Sequence, residues 1–129
     1  MIHYLEIDEV VAIHEEMIFL YGGREDVHDF AMLHSAVERP KATFGGNDLY
    51  LTIFEKAAAL TQSLILNHPF DDGNKRTAIT SCARFLFING WELSLPINRS
   101  IQFTLDIDSH KLSFEETAIW LKKYAKKRK

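Results

Sequence analysis

Cysteine is nearly absent: Cys82 stands alone in 129 residues, so no disulfide can close within the chain. A single thiol fits a reducing cytosol, and a cytoplasmic protein is the expectation. A long apolar run is also missing. Nothing approaches the ~20 consecutive residues needed to cross a bilayer, so no membrane association is expected. The opening "MIHYLEIDEV" is acidic and lacks a basic start followed by an apolar core, so it does not read as a secretory leader. No charge sign dominates. A formal net charge of −3 gives no general pull toward nucleic acid or anionic lipid, and no direct nucleic-acid partner is expected. Internal repeats and low-complexity linkers are absent too, so residues 1–129 read as a single domain.

What is present is an ordinary globular composition, 47% hydrophobic and 26% charged. Helical periodicity dominates it. Between Asp8 and Tyr21 the residues Val10, Val11, His14, Met17, Ile18 and Tyr21 share one stripe, and "YGG" stops that helix. A second helix fits Asp29 to Glu38, with Phe30, Leu33 and Val37 on one side and Pro40 ending it. A third, from about Leu51 to Leu66, is apolar nearly all round and so reads as central. A fourth starts near Gly73–Asn74, ends at Asn89–Gly90 and is equally buried in pattern. "WELSLP" reads as a short extended piece and "NRSIQFTLDIDSH" as a fifth helix. Ser113 with Glu116 forms a capping box that opens a last helix through Trp120, Leu121 and Tyr124. The fold expected is all-α, with about six helices around a central buried pair. Two places stay open. "RPKATFGGNDLY" is either a small hairpin or a connecting loop. The basic tail "LKKYAKKRK" is either a solvated last helical turn or a nucleic-acid contact, with the solvated turn favoured.

Between the two central helices lies "NHPFDDGNKRTA", the densest polar cluster in the chain. Pro69 keeps His68 out of the α region and so ends the third helix. Phe70 is apolar and suited to plug the loop into the core. Asn74, or an Asp before it, could serve as the N-cap of the fourth helix. A cap leaves Lys75 and Arg76 unexplained, because cations in a first turn oppose the helix dipole by ~0.3–1 kcal/mol. An anion placed there would explain them. A helix N-terminus with Gly73, Lys75 and Arg76 makes a phosphate cradle. Asp71 or Asp72 then makes sense as a Mg²⁺ ligand bridging to phosphate oxygens. His68 is the one side chain in the cluster that trades protons near neutral pH. The combination reads as phosphoryl or nucleotidyl transfer to a hydroxyl.

"HPFDDGNKR" resembles the signature of the Fic (filamentation induced by cAMP) superfamily, H-P-F-x-[D/E]-G-N-G-R-x-x-R. His68, Pro69, Phe70, Asp72, Gly73, Asn74 and Arg76 match it. Lys75 replaces the second glycine of "GNG", and Ile79 replaces the last arginine. These departures resemble the Doc (death-on-curing) branch, the toxin half of toxin–antitoxin pairs. "IHEEMIFLYGG", "RPKATFGG", "FEKAAAL" and "FLFING" look like that branch as well, so the likeness covers nearly the whole chain.

The resemblance implies a Fic/Doc fold with a short hairpin flap. It implies His68 as general base, Asp72 on Mg²⁺, and Gly73, Asn74, Lys75 and Arg76 around the phosphates of ATP. It implies that Lys41, Ala42, Thr43 and Phe44 form a flap that aligns a target segment by strand pairing. Lysine in place of glycine, and the missing arginine, imply transfer of the γ-phosphate rather than AMP. The reaction implied is a protein kinase on a Ser or Thr hydroxyl, with elongation factor Tu the substrate by analogy. A Fic-type AMP transferase and a catalytically idle binding protein are the alternatives. The inhibitory helix pattern [S/T]-x-x-x-E-[G/N] is not found, so restraint is expected from a separate antitoxin whose disordered segment folds on binding. His14–Glu15 lacks the second histidine of a zinc-protease helix, and His3, His28, His34 and His110 have no ligand spacing. Cys82 reads as a small core residue rather than a nucleophile.

Overall fold

The computed structural model describes every residue from Met1 to Lys129. Six α-helices make the fold: α1 Ile7–Tyr21, α2 Phe30–Glu38, α3 Ile53–Leu66, α4 Asn74–Ile88, α5 Ile97–Asp108 and α6 Phe114–Tyr124. The all-α expectation and the helix order hold.

The central pair is α3 against α4. Helix α3 begins at a reciprocal cap, in which Thr52 and Glu55 exchange two bonds of 3.1 Å. Its alanines Ala57, Ala58 and Ala59 are fully buried, as are Ala78 and Cys82 on α4. Small side chains on both helices suit a close approach of the two backbones. Leu60, Leu64, Phe85 and Leu86, none more than 1% exposed, complete the core around that contact. Helix α6 covers another side of α3, and Phe103 stacks on Trp120 at 3.7 Å to join α5 to α6. The Ser113–Glu116 capping box stands as read, with bonds of 2.9 and 3.1 Å.

Two details differ from the sequence reading, and one open point is resolved. Phe30 is 62% exposed, and the buried stripe of α2 begins one turn later at Leu33. The first turn of α2 sits over the polar loop after α3 instead of the core: the Asp29 N–H reaches the Pro69 carbonyl, and Asn67 reaches the Met32 carbonyl. The basic tail is a second difference. After Tyr124 the chain turns extended, and strand β4 (Ala125–Lys127) pairs antiparallel with strand β3 (Trp91–Leu93). Glu92 opposes Lys126 in that register, a favourable cross-strand charge pair. Arg128 then lies 3.8 Å over the Phe87 ring and donates to the Phe87 carbonyl. The basic side chains stay exposed, as read, but the run ends in a strand rather than in a helical turn. The segment left open is a hairpin, as the resemblance implies. Strands β1 (Thr43–Phe44) and β2 (Asn47–Asp48) pair antiparallel through Gly45 and Gly46, whose φ values of 61° and 84° meet the demand of a two-residue turn for two positive angles. Lys41 is outside the strands, in a short 3₁₀ turn, and Ala42 joins through its carbonyl, which accepts from the Leu49 N–H.

Candidate active site

The loop between α3 and α4 is built from both sides. Phe70, 2% exposed, anchors it in the core and stacks flat on His14 at 3.7 Å. The Asn74 carboxamide turns back and clamps Phe70, accepting from its N–H at 3.0 Å and donating to its carbonyl at 2.9 Å. Asn74 is therefore not the N-cap. That position belongs to Gly73, at φ 78°, and no side chain caps the helix. The first amides of α4 face outward with the positive end of the helix dipole behind them. A side chain at Gly73 would both strain the backbone and meet Ile18 at 3.1 Å. His68 also has positive φ, 46°, which is uncommon for a residue with a side chain and recurs at functional sites.

From outside, residues 22–29 brace the loop. The Pro69 carbonyl accepts from the His28 and Asp29 N–H groups, the Asp71 N–H reaches Asp26, and Val27 forms a β-bridge with Phe70. His14, 1% exposed, places Nε2 2.7 Å from the Asp72 carbonyl oxygen, so that nitrogen carries the proton and donates.

The two acidic residues are now distinguishable. The Asp71 carboxylate faces His28 Nδ1 at 3.3 Å and Arg24 Nε at 3.9 Å, so it is engaged by the bracing segment. Asp72 accepts the Arg24 N–H on Oδ2 at 2.8 Å, which leaves Oδ1 without a protein partner. The chain contains no group of three or more acidic, His or Cys side chains able to cage a metal. One free carboxylate oxygen beside an open helix N-terminus fits Mg²⁺, which keeps its waters and takes most of its other ligands from substrate phosphates.

His68 and the residues from Asp71 to Arg76 line a polar cavity of about 330 Å³. The structure thus brings the sequence-derived site residues of this motif into one hollow. Asn74 enters it with its side chain already committed to Phe70. Lys75 and Arg76 diverge, as neighbours on a helix must: Arg76 lies 4.1 Å over the Tyr21 ring, and Lys75 points to Asp108. The flap residues Lys41 to Phe44 stand apart from this hollow, at the root and in the first strand of the hairpin.

Asp108 is the residue that sequence reasoning missed. Its Oδ2 lies 3.0 Å from Lys75 Nζ, and its Oδ1 lies 3.5 Å from His68 Nε2. The anion expected opposite Lys75 is, in this structure, a side chain of the protein itself. The hydrogen bond from Lys75 holds the Asp108 carboxyl below its usual value; partial desolvation opposes this, and the charges of Lys75 and His68 add to it. A signal was present in the sequence. Asp108 ends α5, where a negative charge opposes the dipole just as Lys75 does at the start of α4. Two misplaced charges of opposite sign invite pairing. Cys82 has no part in this chemistry: burial pushes its thiol up to about 12.

Beside the hollow, an apolar groove of about 420 Å³ runs between α1, α4 and α5. Met17, Ile79, Ile97, Ile101 and Leu105 line it, and Lys75 and Arg76 border both the groove and the hollow.

The all-α scaffold thus presents a histidine, a free carboxylate oxygen and a lysine around an uncapped helix start, a set of groups that suits a phosphate. A model of the Fic/DOC family matches residues 4–86, and the chain belongs to that family, on its Doc branch. "Toxin Doc" of Mycolicibacterium smegmatis is 44% identical over 94 residues, covering 73% of this chain and 70% of that protein. "Protein kinase doc" of Escherichia phage P1 is 30% identical over 87 residues, covering 67% of this chain and 68% of that protein. Asp108 lies beyond the residues matched by the family model.

Proposed function

We propose that this protein is a toxin of the Doc type, a kinase that moves the γ-phosphate of ATP to a Ser or Thr hydroxyl of a translation factor and so stops translation. One observation carries the reading: the base His68 and the cation Lys75 converge on one carboxylate, Asp108, beside the uncapped start of α4. A group held there touches both a proton acceptor and a phosphate ligand. His68 takes the proton of the target hydroxyl. The hydroxyl oxygen bonds to the γ-phosphorus, the bond to the β–γ bridging oxygen breaks, and ADP leaves with that electron pair. Lys75, Arg76 and the amides of Gly73 and Asn74 hold phosphate oxygens, and Asp72 holds Mg²⁺, which neutralises charge on the transferred group when bound. The name of the phage relative supports the kinase, and elongation factor Tu is the target by analogy. The flap aligns the target's backbone.

An antitoxin silences the enzyme. The groove beside the site suits a disordered segment that folds into a helix on binding, with apolar side chains for the groove and acidic ones for Lys75 and Arg76. The test of the enzymatic reading is intact-mass analysis of bacterial elongation factor Tu after incubation with the protein, Mg²⁺ and ATP. A single phosphate increment, absent with His68→Ala, is expected. An AMP increment would refute the γ-transfer reading, and replacing Lys75 by Gly is expected to move activity toward that product.

A further inference from the structure

Lys56 is almost fully buried, at 2% exposure. A lysine in a core is costly, and an apolar residue of similar volume usually packs there as well or better. Its retention points to what only a long, charged donor supplies, which is reach and direction. Burial alone would lower its pKa, but Tyr4 and Asp48 more than offset that, so it stays charged. Its Nζ lies 3.1 Å from Asp48 Oδ2 and 3.4 Å from the Pro40 carbonyl. Pro40 leads into β1, and Asp48 closes β2. The ammonium therefore ties both roots of the flap hairpin to α3. A second tie lies beside it: Arg39 binds Gln62 and Ser63 of α3 through Nη1 and the Tyr50 hydroxyl through Nε. The hairpin between these roots is free, with Phe44 82% exposed.

Helix α3 holds the flap near its start and delivers His68 just past its end. The ten helical steps from Lys56 to Leu66 span about 15 Å. A rigid helix is a ruler, and the ruler is useful only if the flap cannot slide along it. We propose that Lys56 is a positioning residue for the protein target: it fixes the flap to α3 and thereby sets the distance between the target's backbone and His68. This rests on the flap's aligning role in the proposed function.

The test compares wild type with Lys56→Met, which removes the charge but keeps the volume, and Asp48→Asn, whose half-exposed site carries little folding risk. Amide hydrogen exchange is read on residues 42–49 and on α4. The flap amides, including Leu49 N–H, are expected to exchange roughly tenfold faster in both variants, with α4 unchanged. In the transfer assay, KM for the protein target is expected to rise severalfold while KM for ATP holds, and Lys56→Arg is expected to recover part of the loss. Unchanged flap exchange in both variants would overturn the proposal. So would a parallel rise in both KM values, which marks a merely structural lysine. A wild type that transfers no phosphate to any protein would sink the kinase reading and the target role with it; the exchange measurement would still decide whether Lys56 holds the flap.

Discussion

Asp108 and Lys75 offer a way to test the proposed phosphate site without assaying catalysis. The pair is 3.0 Å long, with side chains 31% and 35% exposed, so it sits in the range where exposed ion pairs contribute ~0.2–1 kcal/mol. Each partner also stands at the wrong end of a helix dipole, an opposing effect of ~0.3–1 kcal/mol apiece. Replacing Asp108 by Asn removes the pair and relieves one dipole conflict together, and the two nearly cancel. A single variant is therefore uninformative. A double-mutant cycle of Asp108→Asn and Lys75→Met, read by urea unfolding near pH 7 and low salt, isolates a coupling of about 0.5–1 kcal/mol. The pH dependence has a definite sign. The folded-state pKa of Asp108 is depressed, so the coupling is fully present above the unfolded value of about 3.9 and is lost as pH falls from there through the lower folded value. Saturating Mg²⁺ and ATP should abolish it as well, since Lys75 exchanges the carboxylate for a phosphate. A coupling of zero at pH 7 would refute the contact. A coupling that survives saturating nucleotide would refute Lys75 as a phosphate ligand.

Three other outcomes are expected. Gly73→Ala places a side chain at φ 78° against Ile18 and should lower stability by about 1–2 kcal/mol in urea titration; an unchanged midpoint would contradict the geometry at the start of α4. Cys82, buried and with its thiol pushed up to about 12, should resist a thiol reagent at pH 8 in the native protein and react at once in urea; rapid native labelling would contradict the packing of α4 against α3. His14→Ala removes a buried ring that holds the Asp72 carbonyl and supports Phe70, and about 2–4 kcal/mol of stability should go with it; a smaller loss in calorimetry would mean that the motif loop is held mainly by residues 22–29.

The helices were legible because their apolar residues recur at helical spacing and their caps are local. Thr52 with Glu55 and Ser113 with Glu116 each lie within one turn of chain. The motif loop was legible because its chemistry is crowded into one stretch. What escaped the sequence is what joins distant positions. Asp108 reaches Lys75 only once α5 has folded back on α4, and Arg24 reaches Asp72 only once residues 22–29 have wrapped the loop. Strand β4 carries two lysines and no apolar alternation, so nothing local marks it; pairing with Trp91–Leu93 creates it. Phe30 obeys the helical stripe but misses the core, because periodicity gives a face and not the length over which a partner covers it.

The way β3 and β4 join bears on the order of events at the ribosome. Every residue of the polar hollow has been synthesised by Arg76, and Asp108 follows on α5. Helix α6 and strand β4 come later, and until they emerge one side of α3 is bare and Trp91–Leu93 has no partner. The long-range contacts that close α3 form last, and cooperative folding waits for them. An emerging chain thus carries all the chemical groups of the hollow before it has the rigid frame that aims them, and it gains that frame only after synthesis has passed Lys127. A cell making such a protein has that interval in which to supply whatever restrains it.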